Sequence, residues 1–229
     1  MHFSIIIPVL NEALTLPSCL EALQPLRHRA EIIVADGGSR DATVAIAEGL
    51  ADRLVRTPKG RAVQMNAGAR LAKGDILLFL HADTVLPDNA LLLIEQRLAR
   101  GGQWGRFDIR LRGRPVSLKV IACMMNWRSR LTGIATGDQV IFVSRQAFFG
   151  VGGYPEISLM EDIALSQLLK AIGPPLCLRA KATSSGRRWE TFGVLRTILL
   201  MWSLRLRYFF GADPAELAEL YQRGQFWKP

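Results

Sequence analysis

Side chains suited to holding a charged ligand arrive at a few definite places in this 229-residue chain. The apolar run Ile76-Leu77-Leu78-Phe79-Leu80 ends at His81-Ala82-Asp83, where two metal-capable groups appear without a spacer. A continuous apolar run of this length reads as a strand buried on both faces. Ligands of open α/β sheets bind beyond the carboxyl ends of the strands, so His81 and Asp83 are placed to hold a cation and the phosphates it carries. The competing reading is a loop Asp that caps the next helix. Two more apolar runs lead to acids: Phe3 to Val9 runs into Asn11-Glu12, and Glu31 to Ala35 into Asp36-Gly37-Gly38-Ser39-Arg40-Asp41. Singly, Asp36 and Asp41 suit turns and caps equally well. Three acidic strand ends together repel a bare phosphate but suit ribose hydroxyls, a base edge or Mg²⁺ or Mn²⁺ bound to a nucleotide. Further on, Glu161-Asp162 opens a helical pattern, where paired acids complement the helix N-terminus. Arg187-Arg188 before Trp189 reads by itself as a solvated basic edge, the usual fate of paired arginines.

The elements that must position these groups alternate. After the first strand, Leu14, Leu16, Leu20 and Leu23 recur at helical spacing up to Pro25; after the second, Ala42 to Gly49 is a helix with Ser39 or Asp41 as its cap. A short strand over 53–56 and a helix over 61–72 lead to the strand before His81. Repeated strand-loop-helix units imply a mainly parallel, Rossmann-like sheet with right-handed crossovers over the first 100 residues. Neither GxGxxG nor the Walker pattern follows the first strand, so no glycine-rich loop cradles phosphate there. The second half changes character. Residues 104–112 alternate in part and read as an exposed or antiparallel strand, which makes the sheet mixed. A helix over 116–130, a buried strand over 140–143, a glycine-rich turn over 150–155 and a helix over 161–172 with Ile163, Leu165, Leu168, Leu169 and Ile172 on its apolar side follow. An amphipathic stretch from Trp189 to Phe210 and a tail helix over 214–223 close the chain.

In order along the chain, Ile5-Ile6-Ile7-Pro8-Val9-Leu10-Asn11-Glu12, Asp36-Gly37-Gly38-Ser39-Arg40-Asp41, Gly60-Arg61-Ala62-Val63-Gln64-Met65-Asn66-Ala67-Gly68, His81-Ala82-Asp83 and Met160-Glu161-Asp162 resemble the inverting family 2 glycosyltransferases of the GT-A fold. Gly137-Asp138-Gln139 and Ser185-Gly186-Arg187-Arg188-Trp189-Glu190 are further similar to a bacterial subgroup associated with radical SAM, selenium-related and arsenosugar genes. The resemblance implies one GT-A domain over 1–229: a nucleotide-binding half over 1–100, an acceptor and catalytic half over 101–188, and C-terminal helices over 189–229. It implies transfer of a sugar from a nucleoside diphosphate sugar of UDP or GDP type to a hydroxyl acceptor. Pro8, Asn11 and Glu12 would flank the base and ribose, with Asp36 and Gly38 on the base, and Arg61, Asn66 and Asp138 lining the substrate pocket. Asp83 would bind the Mn²⁺ or Mg²⁺ on the diphosphate, Asp162 beside Glu161 would act as general base, and Arg187, Arg188 and Trp189 would lie near the leaving diphosphate. The family's triplet is usually Asp-x-Asp, and His81 stands at its first position, either as a metal ligand or as a ribose contact.

The formal charge of +9 suits nucleic acid, an anionic membrane or a phosphorylated substrate. The arginines are scattered among acidic loops and apolar helices and form no interleaved basic and aromatic patch, which argues against nucleic acid. Cys19, Cys123 and Cys177 are odd in number and far apart, so neither a disulfide framework nor a zinc site is expected; core packing and a reducing compartment are. No signal-peptide pattern opens the chain, and 197–204, its most membrane-like segment, is far short of the roughly 20 residues of a spanning helix, so a cytoplasmic protein is expected. The aromatics from Trp202 to Phe210 read either as core or, with Arg196, Arg205 and Arg207, as a helix lying on an anionic membrane. The rival readings are a nucleotidyltransferase acting on sugar phosphates, which would want a basic glycine-rich first loop, and a nucleotide-sugar-binding protein without turnover.

Overall fold

The computed structural model describes residues 1–227. Its strands are β1 (Phe3–Val9), β2 (Ala30–Asp36), β3 (Arg53–Arg56), β4 (Ile76–Phe79), β5 (Trp104–Arg112), β6 (Ile141–Ser144) and β7 (Leu176–Ser185). They form one sheet in the order β3-β2-β1-β4-β6-β5-β7. β1 pairs in parallel with both β2 and β4, and β6 runs antiparallel to both β4 and β5. The helices are α1 (Leu16–Leu23), α2 (Thr43–Leu50), α3 (Arg61–Leu71), α4 (Ala90–Leu98), α5 (Ser117–Thr132), α6 (Arg145–Gly150), α7 (Glu161–Lys170), α8 (Arg187–Phe192), α9 (Val194–Phe209) and α10 (Pro214–Arg223).

Strand alternation divides the core between two faces. Ile5 and Ile7 of β1 pack with α1, α2 and α4, whereas Ile6 packs with α3, α6 and α7. All three isoleucines are fully buried, and each contributes roughly 1.5–3 kcal/mol of hydrophobic stabilisation. Covering both faces is what permits a strand as apolar as β4, and it leaves the strand ends as the accessible part of the sheet.

The second half corrects several expectations. β5 runs antiparallel to β6, one of the two readings of 104–112, but it is not exposed: β6 and β7 flank it, and Arg106 is fully buried, bonded to Asp108, while Arg130 also binds Asp108. One carboxylate is shared between two guanidinium groups, and the charges of the strand belong to an ion network at its contact with α5. β7 and α4 have no counterpart in the sequence reading. β7 joins the sheet in parallel beyond β5, but its Ala182, Ser184 and Ser185 have weak β preference and conceal the strand. The amphipathic stretch after Trp189 is broken at Gly193 (φ 79°), whose left-handed backbone separates α8 from α9. Of the cysteines, Cys19 is buried and Cys123 exposed, so core packing fails for the latter. Trp202, Phe209 and Phe210 are exposed and not core, and Leu168 and Ile172 near the end of α7 are also exposed.

Candidate active site

A cavity of about 900 Å³ opens beyond the carboxyl ends of β1 and β4, within the roughly 300–1,000 Å³ typical of small-ligand sites. The strand directions position it, as expected for an open α/β sheet. Pro8 and Glu12 reach it from the loop after β1, His81 and Asp83 from the end of β4, and Arg61 from the first turn of α3. Asp138, Glu161, Asp162, Arg187, Arg188 and Trp189 also line it. Four expected residues do not: Asn11, Asp36, Gly38 and Asn66 turn to other work.

Asp36 is buried, and its carboxylate accepts the backbone N–H groups of Gly38 (3.0 Å) and Ser39 (3.1 Å). The N–H of Asn11 donates to Ser39 Oγ, and the N–H of Arg40 donates to Asn11 Oδ1, both at 2.8 Å. These bonds lace the loops after β1 and β2 together. Asp41 accepts from the Thr43 N–H (3.0 Å) and so satisfies an early donor of α2. Gln64 of α3 donates to both Val9 O and Ala35 O at 2.7 Å, joining the ends of β1 and β2. Asn66 grips the backbone of Tyr154 in both directions, donating to its carbonyl and accepting from its N–H at 2.9 Å.

Glu12 and Asp83 share an exposed counter-ion. Arg187 Nη2 lies 3.8 Å from Glu12 Oε1 and 3.9 Å from Asp83 Oδ2, and its side chain is 58% exposed. Such long, solvated pairs hold weakly, so Arg187 is free to exchange partners. Among the described residues, Asp83 has besides the Arg187 ion pair a long hydrogen bond from Thr84 Oγ1 at 3.4 Å. Its carboxylate faces the cavity with lone pairs to spare. Among the described residues no three His, Cys, Asp or Glu side chains gather as a metal cage. That donor set fits a hard cation such as Mg²⁺ or Mn²⁺ that keeps most of its ligands as water and substrate phosphate, and does not fit one held by protein alone.

His81 is turned toward the Gly137–Gln139 turn. Its Nδ1 is 3.3 Å from Asp138 Oδ1, and a Cβ on Gly137 would stand 2.5 Å from its Nε2. Only glycine leaves room for the ring there. The same turn holds the acid of α7, because the Gly137 N–H donates to Asp162 Oδ2 at 2.9 Å. Burial opposes the charge on Asp138, but the contact from His81, with Arg61 and Ser184, holds its carboxyl below the ordinary range.

The two carboxylates of α7 are pushed the other way. Burial first, then the adjacent Asp162 charge, raises Glu161 from 4.5 to about 7. Burial also raises Asp162, against the opposing N–H groups of Gly137 and Ile163 and the charge of Arg61. Two backbone donors favour the anion on Asp162, so the proton the pair retains near neutrality rests on Glu161. Desolvation works against the Arg61 charge, but Tyr221, Glu161, Asp138 and Asp162 outweigh it and raise its pKa.

Farther out, Arg128 and Arg205 line the cavity beside Ile121, Met124, Ile198 and Met201. Arg188 is bracketed: it donates to Tyr221 O and stacks 3.5 Å from the Tyr221 ring centroid and 5.2 Å from that of Phe192. Arg128, Arg205, Gln64 and Tyr221 are cavity residues that sequence reasoning missed. Gln64 carried a signal, as a polar residue in an otherwise small and apolar helix face; lone arginines on amphipathic helices carry none.

Residues 4–115 match the family model described as Glycosyl transferase family 2. That segment, just under half of the chain, resembles glycosyltransferase family 2, and the sheet has the GT-A fold. A Mycobacterium bovis PGL/p-HBAD biosynthesis glycosyltransferase is 44% identical over 92 residues, covering 37% of this chain and 36% of that protein. An undecaprenyl-phosphate 4-deoxy-4-formamido-L-arabinose transferase of Pseudomonas fluorescens is 32% identical over 154 residues, covering 59% of this chain and 44% of that one. The chain thus spans less than half the length of these relatives. Among solved structures, a Pyrobaculum calidifontis mannosyltransferase in complex with GDP-Man and Mn²⁺ superposes with a TM-score of 0.67 at 18% identity, covering 97% of this chain and 69% of that one. No helix among the described residues is long and apolar enough to cross a membrane.

Proposed function

We propose that this chain is a single-domain, inverting glycosyltransferase that moves a sugar from a nucleoside diphosphate sugar to a hydroxyl acceptor. One observation carries the reading: the Gly137–Gln139 turn ties His81, two residues before Asp83, to Asp162, so that a phosphate-side acid and a poised base face one cavity. Pro8 and Glu12 flank the nucleoside, and Asp36, Gly38 and Asn11 shape its loops without needing to touch it. Asp83 holds the divalent ion, and His81 orients the turn through Asp138. When bound, that ion supplies positive charge to the diphosphate; the Pyrobaculum mannosyltransferase, whose structure is a complex with GDP-Man and Mn²⁺, supports this assignment. Asp162 takes the acceptor proton as the acceptor oxygen attacks the anomeric carbon and the bond from that carbon to the diphosphate oxygen breaks. Glu161, protonated, keeps a second negative charge away from the attacking oxygen. Arg187 leaves Glu12 and Asp83 for the departing diphosphate, where a charge-assisted contact is stronger. Single displacement inverts the anomeric configuration. We also place the chain with the radical SAM- and selenium-associated bacterial subgroup, because the two phrases that suggest it, 137–139 and 185–190, form the turn at Asp162 and the start of α8.

A panel of UDP-, GDP-, ADP- and dTDP-sugars scored by thermal shift with and without Mn²⁺ tests the reading. Stabilisation is expected to require the metal and to vanish in Asp83→Ala. Metal-independent stabilisation that survives in this variant would remove Asp83 from the site.

A further inference from the structure

Neither α5 nor α9 is covered on its outer side. On α5 and the residue before it, Val116, Val120, Met124, Trp127 and Leu131 are 53–78% exposed, and on α9 Leu195, Leu199, Trp202, Leu206 and Phe209 are 57–79% exposed. Each set steps by three or four residues, so each is one continuous stripe along its helix. The inner faces meet, since Ile121, Ala122 and Met125 share an apolar cluster with Val194 and Ile198. The stripes converge on the cavity, because exposed Met124 and Trp202 both line it. Paired apolar stripes of this extent on a protein surface mark an interaction site.

Charge selects the occupant. Outside the cavity α5 carries Lys119 and Arg130, the latter paired with Asp108, and α9 carries Arg196 and Arg207, with no acid on either helix. A second copy of this face would meet like charge, whereas an anionic bilayer accepts both the apolar stripes and the arginines at their flanks. The cavity repeats the pattern. Arg128 Nε and Nη2 and Arg205 Nε are buried without a hydrogen-bond partner, beside the apolar side chains of Ile121, Met125, Ile198 and Met201. Buried guanidinium donors normally find an acceptor, and an anionic group flanked by hydrocarbon satisfies this set.

We propose that α5 and α9 together lie on an anionic lipid bilayer, and that the acceptor is a lipid whose phosphate-bearing head group enters between them to reach Arg128 and Arg205. The second part rests on the glycosyltransferase reading, and the head group then presents its hydroxyl oxygen to Asp162. The acceptor oxygen gains its bond to the sugar's anomeric carbon, its proton goes to Asp162, and the nucleoside diphosphate leaves with the electrons of the broken bond.

Flotation of the chain with vesicles tests the docking. With phosphatidylcholine containing about 30 mol% phosphatidylglycerol, at least about tenfold more protein should float than with phosphatidylcholine alone, near 0.1 M salt. The double variant Trp127→Glu/Leu199→Glu, altered outside the cavity, should lose flotation while keeping its nucleotide thermal shift with Mn²⁺. A short-chain phosphatidate below its micelle concentration should stabilise the native protein, and Arg128→Gln/Arg205→Gln should abolish that shift. The proposal is overturned if anionic vesicles float no more protein than neutral ones, if the double Glu variant floats equally, or if that variant instead dissolves a dimer of the native chain. An equal shift with glycerol 3-phosphate assigns the arginines to a soluble phosphate and also overturns it. Loss of the nucleotide shift in the native protein defeats the glycosyltransferase reading instead, and leaves the flotation result to stand alone.

Discussion

Replacing Glu161 by Gln keeps the size of a side chain that is 6% exposed and removes a carboxyl whose pKa is raised from 4.5 to about 7. Burial is the larger cause and the Asp162 charge the second. A carboxyl raised in this way holds its proton more tightly folded than unfolded. Its favourable contribution is complete below about pH 4.5 and is lost as the pH rises through about 7, because the folded protein must then bury a second charge beside Asp162. The shift corresponds to about 3 kcal/mol. Glu161→Gln should therefore resemble the native protein at about pH 5 and exceed its stability by up to about 3 kcal/mol at pH 8.5, or roughly 6–12 °C in Tm for a chain of this size. Thermal melts of both proteins across this range measure the gap directly. If the two curves run parallel, with the same difference at both ends, Glu161 does not hold the proton and the division of roles between it and Asp162 fails.

Asp162→Asn keeps an oxygen to accept the Gly137 N–H but cannot take a proton, so nucleoside diphosphate release should fall about 10²- to 10⁴-fold with nucleotide binding intact; unchanged turnover removes Asp162 as base. Gly137→Ala would set a methyl 2.5 Å from His81 Nε2, and overpacking of that kind costs about 1–3 kcal/mol. The Mn²⁺-dependent nucleotide shift should weaken with it, and an unaltered shift would mean that His81 does not steady the metal side. Asn66→Ala strips both partners from the buried Tyr154 backbone, at a cost of about 2–4 kcal/mol in urea unfolding; since Asn66 does not line the cavity, a selective loss of nucleotide binding without destabilisation would contradict its position.

What was legible in the sequence was whatever local periodicity encodes. β1, β2 and β4 are nearly unbroken apolar runs, and the acids that follow them mark the strand ends because an open sheet has no other exposed part near its core. What the pattern could not supply was direction. Asp36 and Asn66 sit in phrases that resemble a nucleotide site, yet Asp36 is spent on the amides of its own turn and Asn66 on a backbone 88 residues away, contacts that no local window contains. The same limit concealed β7, an edge strand built partly of Ala and Ser that joins the sheet through its register with β5. The arginines of α5 were readable only as the polar complement of an amphipathic helix, and those of α9 as that or as the flanks of a helix on an anionic membrane. Their meaning depends on which side of each helix the sheet covers: Arg130 is drawn in by Asp108, while Arg128, two residues earlier, has buried N–H groups facing the cavity without acceptors. The proposed function thus rests on side-chain direction at the strand ends and helix faces, and the Gly137–Gln139 turn, which contacts both His81 and Asp162, is where that direction is set.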